Sequence, residues 1–192
     1  MIEEVFDNLV GQFNDPFTFY RELIQNSMDA GSNQVNVEVE YQPEKERVVI
    51  TVVDAGEGMN EHIIRDQLTR LFSSTKEDDF TKIGKFGIGF VSVFAIQPQL
   101  VVLDTGRDGE YWRVGFRGTT DYQLLKLDEP VEGTTIRLYK KMAPIDVDTF
   151  VERSRSTIAF WCKYSDTQVT FNGEVLNERL AVDSPCQVIH EQ

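Results

Sequence analysis

Apolar residues recur at Ile2, Val5, Phe6, Leu9, Val10 and Phe13, a spacing that lays one stripe along a helix. A second helix is predicted from Asp15, a capping residue, through Pro16, which sits where its missing N–H costs nothing, to Ala30, with Gly31 as the stop. Its residues Phe19, Leu23, Ile24 and Met28 form an apolar face, while Glu22, Asn26 and Asp29 project together from another. The period then changes to two. Val35, Val37 and Val39 alternate with polar residues, and Arg47 to Val53 is rich in β-branched side chains, so two strands come next.

Asn60 to Phe72 returns to helical spacing, Ser73 to Lys82 is polar and aperiodic as a loop would be, and Phe90 to Ile96 reads as an apolar helix that Pro98 ends. Further strand signals lie at Gln99 to Leu103, Glu110 to Phe116, Tyr122 to Leu127 and Thr134 to Tyr139, with Asp108-Gly109 as a hairpin turn. A helix over Val147 to Trp161 precedes the strand Gln168 to Phe171 and the turn Asn172-Gly173. Helices and strands cluster instead of alternating regularly. That order predicts an α+β two-layer sandwich, with a mixed, mostly antiparallel sheet covered on one face by helices, and argues against a doubly wound parallel sheet. The length of 192 residues fits one domain, 1–192, with a helix-strand extension at about 144–192.

Charge narrows the chemistry. The formal net charge is −13 and no basic stripe is visible, which excludes holding nucleic acid by broad phosphate neutralisation. A bound polyphosphate would need a metal, backbone amides and a few local lysines. No apolar run is long enough to span a bilayer, and the first residues are acidic where a signal peptide is basic, so a cytoplasmic protein is expected. Cys162 and Cys186 lack the clustering of a zinc site and read as ordinary reduced thiols.

Three segments carry candidate chemistry. The stripe of Glu22, Asn26 and Asp29 places two carboxylates and an amide in one patch suited to a cation, although a solvated helix face has the same composition. Asp54 ends a strand and opens Asp54-Ala55-Gly56-Glu57-Gly58-Met59. An ionised aspartate only accepts hydrogen bonds, so at a rigid strand end it favours the exocyclic amine of adenine over the carbonyl of guanine. A plain acidic turn is the alternative. Ile83 to Ser92 reads IGKFGIGFVS and runs into a helix, which suits phosphate binding through glycine backbone and free helix N–H groups. It is neither a Walker loop nor a good dinucleotide fingerprint, and close helix packing would also use such glycines.

Together ELIQNSMDA, DAGEGM and IGKFGIGFVS resemble the N, G1 and G2 boxes of the Bergerat-fold ATPases, the superfamily of gyrase, the ninety-kilodalton heat-shock chaperone, histidine kinases and the MutL mismatch-repair proteins. The wording is most similar to the chaperone. The resemblance continues through Gly133-Thr134 and covers about the first 175 residues. It implies ATP, ADP and Mg²⁺ as ligands, with Asn26 on the metal and Glu22, one turn earlier, as the general base. It further implies that Asp29 and Ala30 line the pocket, that Asp54 reads adenine with Gly56, Gly58 and Met59 beside it, and that Thr134 supports the base through water. Gly84, Lys85, Phe86, Gly87, Ile88, Gly89 and Phe90 would hold the phosphates, with Lys76 as a phosphate-side lysine in a lid at about 60–83 that is shorter than the chaperone's. The activity so implied is that of a slow Mg-dependent ATPase module of a chaperone-like protein, acting on a client or an attached downstream domain and able to pair as an ATP-dependent homodimer. The alternatives are an ATP-binding switch of the MutL or gyrase type with negligible hydrolysis alone, and a protein kinase of the histidine-kinase type. His62 and His190, the two histidines, lack a dimerisation-helix setting, which favours hydrolysis.

Overall fold

The computed structural model describes residues 8, 10–69, 89–118 and 121–177. Most of the expected first helix, most of the lid with Lys76, residues Gly84 to Ile88 of the glycine turn, and Cys186 lie outside the described residues.

Asp15 caps as its sequence position suggested. Its Oδ1 accepts a hydrogen bond from Phe17 N at 2.9 Å and starts a 3-10 turn, Pro16–Thr18, which runs on into helix α1, Phe19–Asp29. Phe19, Tyr20, Leu23, Ile24 and Ser27 form the buried face, and the helix stops at Gly31 with φ +78°. Each fully buried Leu or Ile contributes about 1.5–3 kcal/mol relative to exposure, so this face anchors α1 to the sheet. Strand β1, Gln34–Gln42, buries Val35, Val37 and Val39 and turns Glu38 and Glu40 outward; its antiparallel neighbour β2, Arg47–Asp54, buries Val48, Val49, Ile50 and Val52.

After β2, a short helix α2, Glu61–Ile63, is capped by Asn60 and widens into a π turn, Ile64–Leu68. Thr69 N bonds Ile64 O at 2.8 Å, five residues back, and the Thr69 hydroxyl donates to the same oxygen at 3.1 Å. A helix was expected here and residues 61–68 are helical; the Thr69 side chain offers Ile64 a second donor and favours the wider turn. Gly89 and Phe90 are helical, and Ser92–Ile96 tightens to a 3-10 turn ended by Gln97 at φ +53°, one residue before Pro98. Strands β3, Leu100–Arg107, and β4, Glu110–Arg117, are joined by Asp108-Gly109, both at positive φ as the tight hairpin requires. β5, Asp121–Lys126, β6, Thr134–Lys141, helix α3, Pro144–Cys162, β7, Gln168–Phe171, and β8, Glu174–Val175, complete the described chain.

Among the described residues the sheet has eight strands in the order β5-β4-β3-β6-β2-β1-β7-β8, and β1 with β7 is its one parallel pair. Helices α1 and α3 and the 3-10 turns pack on one face, so the two-layer α+β sandwich with a mostly antiparallel sheet is as expected. Register decides what meets on that face. Val35 pairs with Asp54, Asp54 with Thr134, and Thr134 with Thr105, so four strands deliver these residues to a single row beneath α1.

Candidate functional site

At the end of that row a cleft of about 270 Å³ opens between the C-terminal half of α1, the ends of β2, β3 and β6, and α2 with its π turn. Asp54 sits on its floor. Ser27, on the buried face of α1, donates to Asp54 Oδ2 at 2.8 Å, and Gly56 N donates to Oδ1 at 2.9 Å. Each oxygen is thereby fixed in direction yet keeps acceptor capacity for a ligand donor.

The loop after Asp54 is tied at three levels. Ala55 N bonds Ser32 Oγ at 3.1 Å, Glu57 N bonds Ala30 O at 2.9 Å, and Met59 N bonds Thr105 Oγ1 at 2.9 Å. Thr105 Oγ1 in turn lies 3.0 Å from Gly133 O and 3.1 Å from Thr134 Oγ1. Gly58 at φ +65° and Gly133 at φ +63° take conformations that side chains rarely adopt, and a Cβ on either would run into backbone, of Gly106 and Gly133 in the first case and of Asp54 in the second. These glycines let three chain segments close up around the aspartate.

Asn26, Asp29, Ala30, Asp54, Gly58, Met59, Phe90 and Thr134 all line the cleft. Asn26 is half-buried and its side chain has no hydrogen-bond partner among the described residues. Asp29 is exposed at the rim and accepts from Gln25 Nε2 at 2.8 Å. Glu22 stands apart from the lining, half-buried, with its carboxylate against Gly89 where the glycine turn becomes helix. Lys76, Gly84, Lys85, Phe86, Gly87 and Ile88 lie outside the described residues.

The structure adds residues that sequence spacing did not single out. Ser27 orients Asp54; Leu23, Leu103, Ile136, Ile63 and Leu68 give the cleft apolar walls; Gln67, Glu57 and Arg107 supply polar groups. Arg107 Nη2 lies 2.9 Å from Glu57 Oε2. The inward alternation of β3 and β6 could have flagged Leu103 and Ile136. Arg107 and Thr105 become visible only through strand register, since Thr105 meets Met59 across 46 residues of sequence.

No group of three or more His, Cys, Asp or Glu residues among the described ones is placed to hold a metal. The Asn26 amide oxygen, lining the cleft, is a hard donor of the kind that fits Mg²⁺ carried in with phosphates, which keeps several waters and takes few protein ligands. Cys162 is buried, and burial pushes its thiol up to about 11, the behaviour of an inert core cysteine.

Comparison with known proteins covers the same stretch of chain. The family model described as "Histidine kinase-, DNA gyrase B-, and HSP90-like ATPase" matches residues 18–148. The chain is 28% identical over 164 residues to the chaperone protein HtpG of Acinetobacter baylyi, covering 70% of this chain and 25% of that protein. It is 30% identical over 177 residues to HtpG of Coxiella burnetii, covering 77% and 27%, and 27% identical over 194 residues to HtpG of Helicobacter hepaticus, covering 84% and 31%. The chain thus spans a quarter to a third of the length of these curated relatives.

Proposed function

The chain belongs to the histidine kinase-, DNA gyrase B- and HSP90-like ATPase family, and from that premise we propose that it is a Mg-dependent module that binds and slowly hydrolyses ATP within a chaperone-like protein of the cytoplasm. The observation that carries the reading is Asp54, held by Ser27 and Gly56 on the floor of an apolar cleft and aimed at one ligand edge. A carboxylate so fixed accepts from the adenine amine and repels the guanine carbonyl. Thr134, paired in register with Asp54, would support the same edge through water.

Asn26 would hold Mg²⁺ by its amide oxygen, and the ion would supply charge neutralisation at the phosphates. Glu22, one helical turn before Asn26, takes the proton of the attacking water; it is the catalytic residue of this reading. Asp29, Ala30, Gly56, Gly58 and Met59 enclose the nucleoside, and the glycine turn from Gly84 to Phe90, with Lys85 and Lys76, receives the phosphates through backbone N–H groups and lysine charge. Hydrolysis is favoured over transfer to protein because the residue one turn before Asn26 is a glutamate. A client, an attached downstream domain or a second copy completes the working unit. Among the described residues no helix is long and apolar enough to cross a membrane.

Thermal-shift titration with ATP, ADP and GTP, each with and without Mg²⁺, tests the proposal. ATP and ADP stabilise the chain, with about 2.7 kcal/mol expected at 100 times Kd, Mg²⁺ strengthens the ATP effect, and GTP gives no shift. No shift with any nucleotide overturns it. A shift equal for GTP and ATP overturns the role of Asp54.

A further inference from the structure

Helix α1 carries a second polar-apolar stripe besides the one facing the cleft. At 100° per residue Arg21, Gln25 and Met28 fall together on the flank of the buried face opposite to Glu22, Asn26 and Asp29. This second flank meets the C-terminal end of α3, and the two border a groove of about 460 Å³ that includes Met28, Phe160, Trp161 and Tyr164.

The groove's aromatic rings are unusually open. Phe160 is 74% exposed, Tyr164 60% and Trp161 48%, whereas the other rings among the described residues mostly sit in the core. They are also ordered against one another. Phe160 and Trp161 pack edge to face at 5.2 Å, the Arg21 guanidinium lies 4.5 Å from the Trp161 ring centre, and the Lys163 amine lies 5.2 Å from that of Tyr164. Phe, Trp, Tyr, Met and Arg are the residue types that concentrate in the desolvated centres of protein interfaces. An exposed cluster of them marks a binding surface.

Charge selects the occupant. Arg21 and Lys163 have no carboxylate within ion-pair distance among the described residues, although the chain holds 32 acidic against 19 basic residues. Asp166, on the groove's rim, is the one acidic residue in its lining among the described residues. We infer that the groove between α1 and the end of α3 is a docking site for an amphipathic segment of a partner protein, whose apolar side chains cover Phe160, Trp161 and Tyr164 and whose carboxylates reach Arg21 and Lys163. Arg21 precedes Glu22 in the chain, so the partner sits on the back of the helix whose other flank faces the nucleotide. Docking here does not depend on the chain hydrolysing ATP.

Trp161 provides the readout. The other tryptophan, Trp112, is 9% exposed and can be replaced by phenylalanine to leave a single emitter. The probes are three 14-residue amphipathic helical peptides with leucines at i, i+3, i+4, i+7 and i+11, the remaining positions being glutamate in one, glutamine in the second and lysine in the third. The glutamate peptide shifts Trp161 emission saturably, binds about tenfold tighter than the glutamine peptide, and loses affinity with added salt. Phe160→Ser and Tyr164→Ser each weaken it by about tenfold, and Arg21→Gln reduces it to the glutamine-peptide level. All three side chains are exposed, so folding is retained and is checked by an unchanged unfolding midpoint. Equal or tighter binding of the lysine peptide overturns the inference, as does no saturable shift up to millimolar glutamate peptide. A dimer in sedimentation that Phe160→Ser dissociates overturns it in favour of a second copy of the chain.

Discussion

The carboxylate of Glu22 and the α-carbon of Gly89 are in such close approach that a Cβ on Gly89 would lie 2.9 Å from Glu22 Oε2. Helix α1 and the start of the helical segment after the glycine turn therefore share a contact in which an added side chain must move the Glu22 carboxylate. The atom in the way is the far end of a flexible glutamate, so an added methyl group displaces the carboxylate and leaves the backbone in place. Gly89→Ala is expected to change the unfolding midpoint little, to keep ADP affinity within about threefold, and to lower kcat by about 100-fold, the penalty of a 1 Å misplacement of a reacting group. Glu22→Gln abolishes turnover with similar affinity retained. Single-turnover hydrolysis beside calorimetric binding measures both, and undiminished turnover in Glu22→Gln removes the base assignment.

Asp54→Asn tests the base-reading end. The substitution keeps volume but presents one donor where two acceptor oxygens stood, against the Ser27 hydroxyl and the Gly56 N–H, which also donate. Hydrogen bonds to a charged group contribute about 1.5–3 kcal/mol, so ATP and ADP affinity should fall by about 10–100-fold. Titration calorimetry checks this, and the loss should be equal for the two nucleotides because the change lies at the base and not at the phosphates.

Arg107 and Glu57 close the cleft's mouth across two elements, with the Glu57 backbone also bonded to the end of α1. Glu57 is largely solvated and Arg107 is 35% exposed, so the pair contributes at most about 1 kcal/mol. Arg107→Met should weaken ADP by up to about fivefold at low salt, the effect fading as salt rises. Exchange of the two charges, Glu57→Arg with Arg107→Glu, should restore affinity. Failure of the exchange to restore binding would show that Arg107 acts on the nucleotide and not on the loop.

On the open face of the sheet, Asp104 accepts from Arg113 at 2.6 and 2.8 Å and from Arg137 at 3.0 Å. Burial alone would raise its carboxyl, but the hydrogen bonds and charges of the two arginines outweigh burial and hold it below the usual carboxylate range. A carboxyl depressed in the folded state stabilises the protein above its unfolded pKa and loses that contribution as pH falls through its folded pKa. Asp104→Asn should therefore lower the midpoint at neutral pH by about 2–4 °C, the shift for about 1 kcal/mol in a chain of this size. The gap from the wild-type protein should narrow as pH drops below about 4. Thermal unfolding between pH 7 and 2 measures it, and a gap that widens with acid would reverse the assignment.

Much of the candidate site was legible because its residues are local in sequence. The Glu22, Asn26, Asp29 stripe follows from helical spacing, and Asp54 from a β-branched run that meets glycines. The helix expected over Asn60 to Phe72 is present across its described part, 61–68, but its widening to a π turn was not legible. Beyond Ile63 the wider turn depends on one threonine hydroxyl competing for Ile64 O, which no hydrophobic period encodes. Ser27 carries no signal in helical spacing, and its role appears only once β2 places Asp54 Oδ2 2.8 Å from its hydroxyl. The order β3-β6-β2-β1 puts strands side by side that are far apart in the chain, and the Thr105–Thr134–Asp54 row exists only because of that order. No single-strand pattern carries it.

Thr105 shows how much rests on such a row. Its side chain is fully buried, and its hydroxyl oxygen accepts from Met59 N while lying within hydrogen-bond distance of Gly133 O and Thr134 Oγ1. Thr105→Val preserves shape and removes that oxygen, leaving the Met59 N–H and the Gly133 carbonyl without this partner. An unsatisfied buried group costs about 1–3 kcal/mol, which predicts a midpoint lowered by about 2–12 °C. Thr105→Ser keeps the hydroxyl and should stay close to wild type. Because Met59 and Thr134 both line the cleft, the valine variant should also weaken ATP and ADP equally while leaving kcat at saturation unchanged. A drop in kcat with intact affinity would instead place Thr105 in the path from the cleft to Glu22, which nothing in its hydrogen bonding supports.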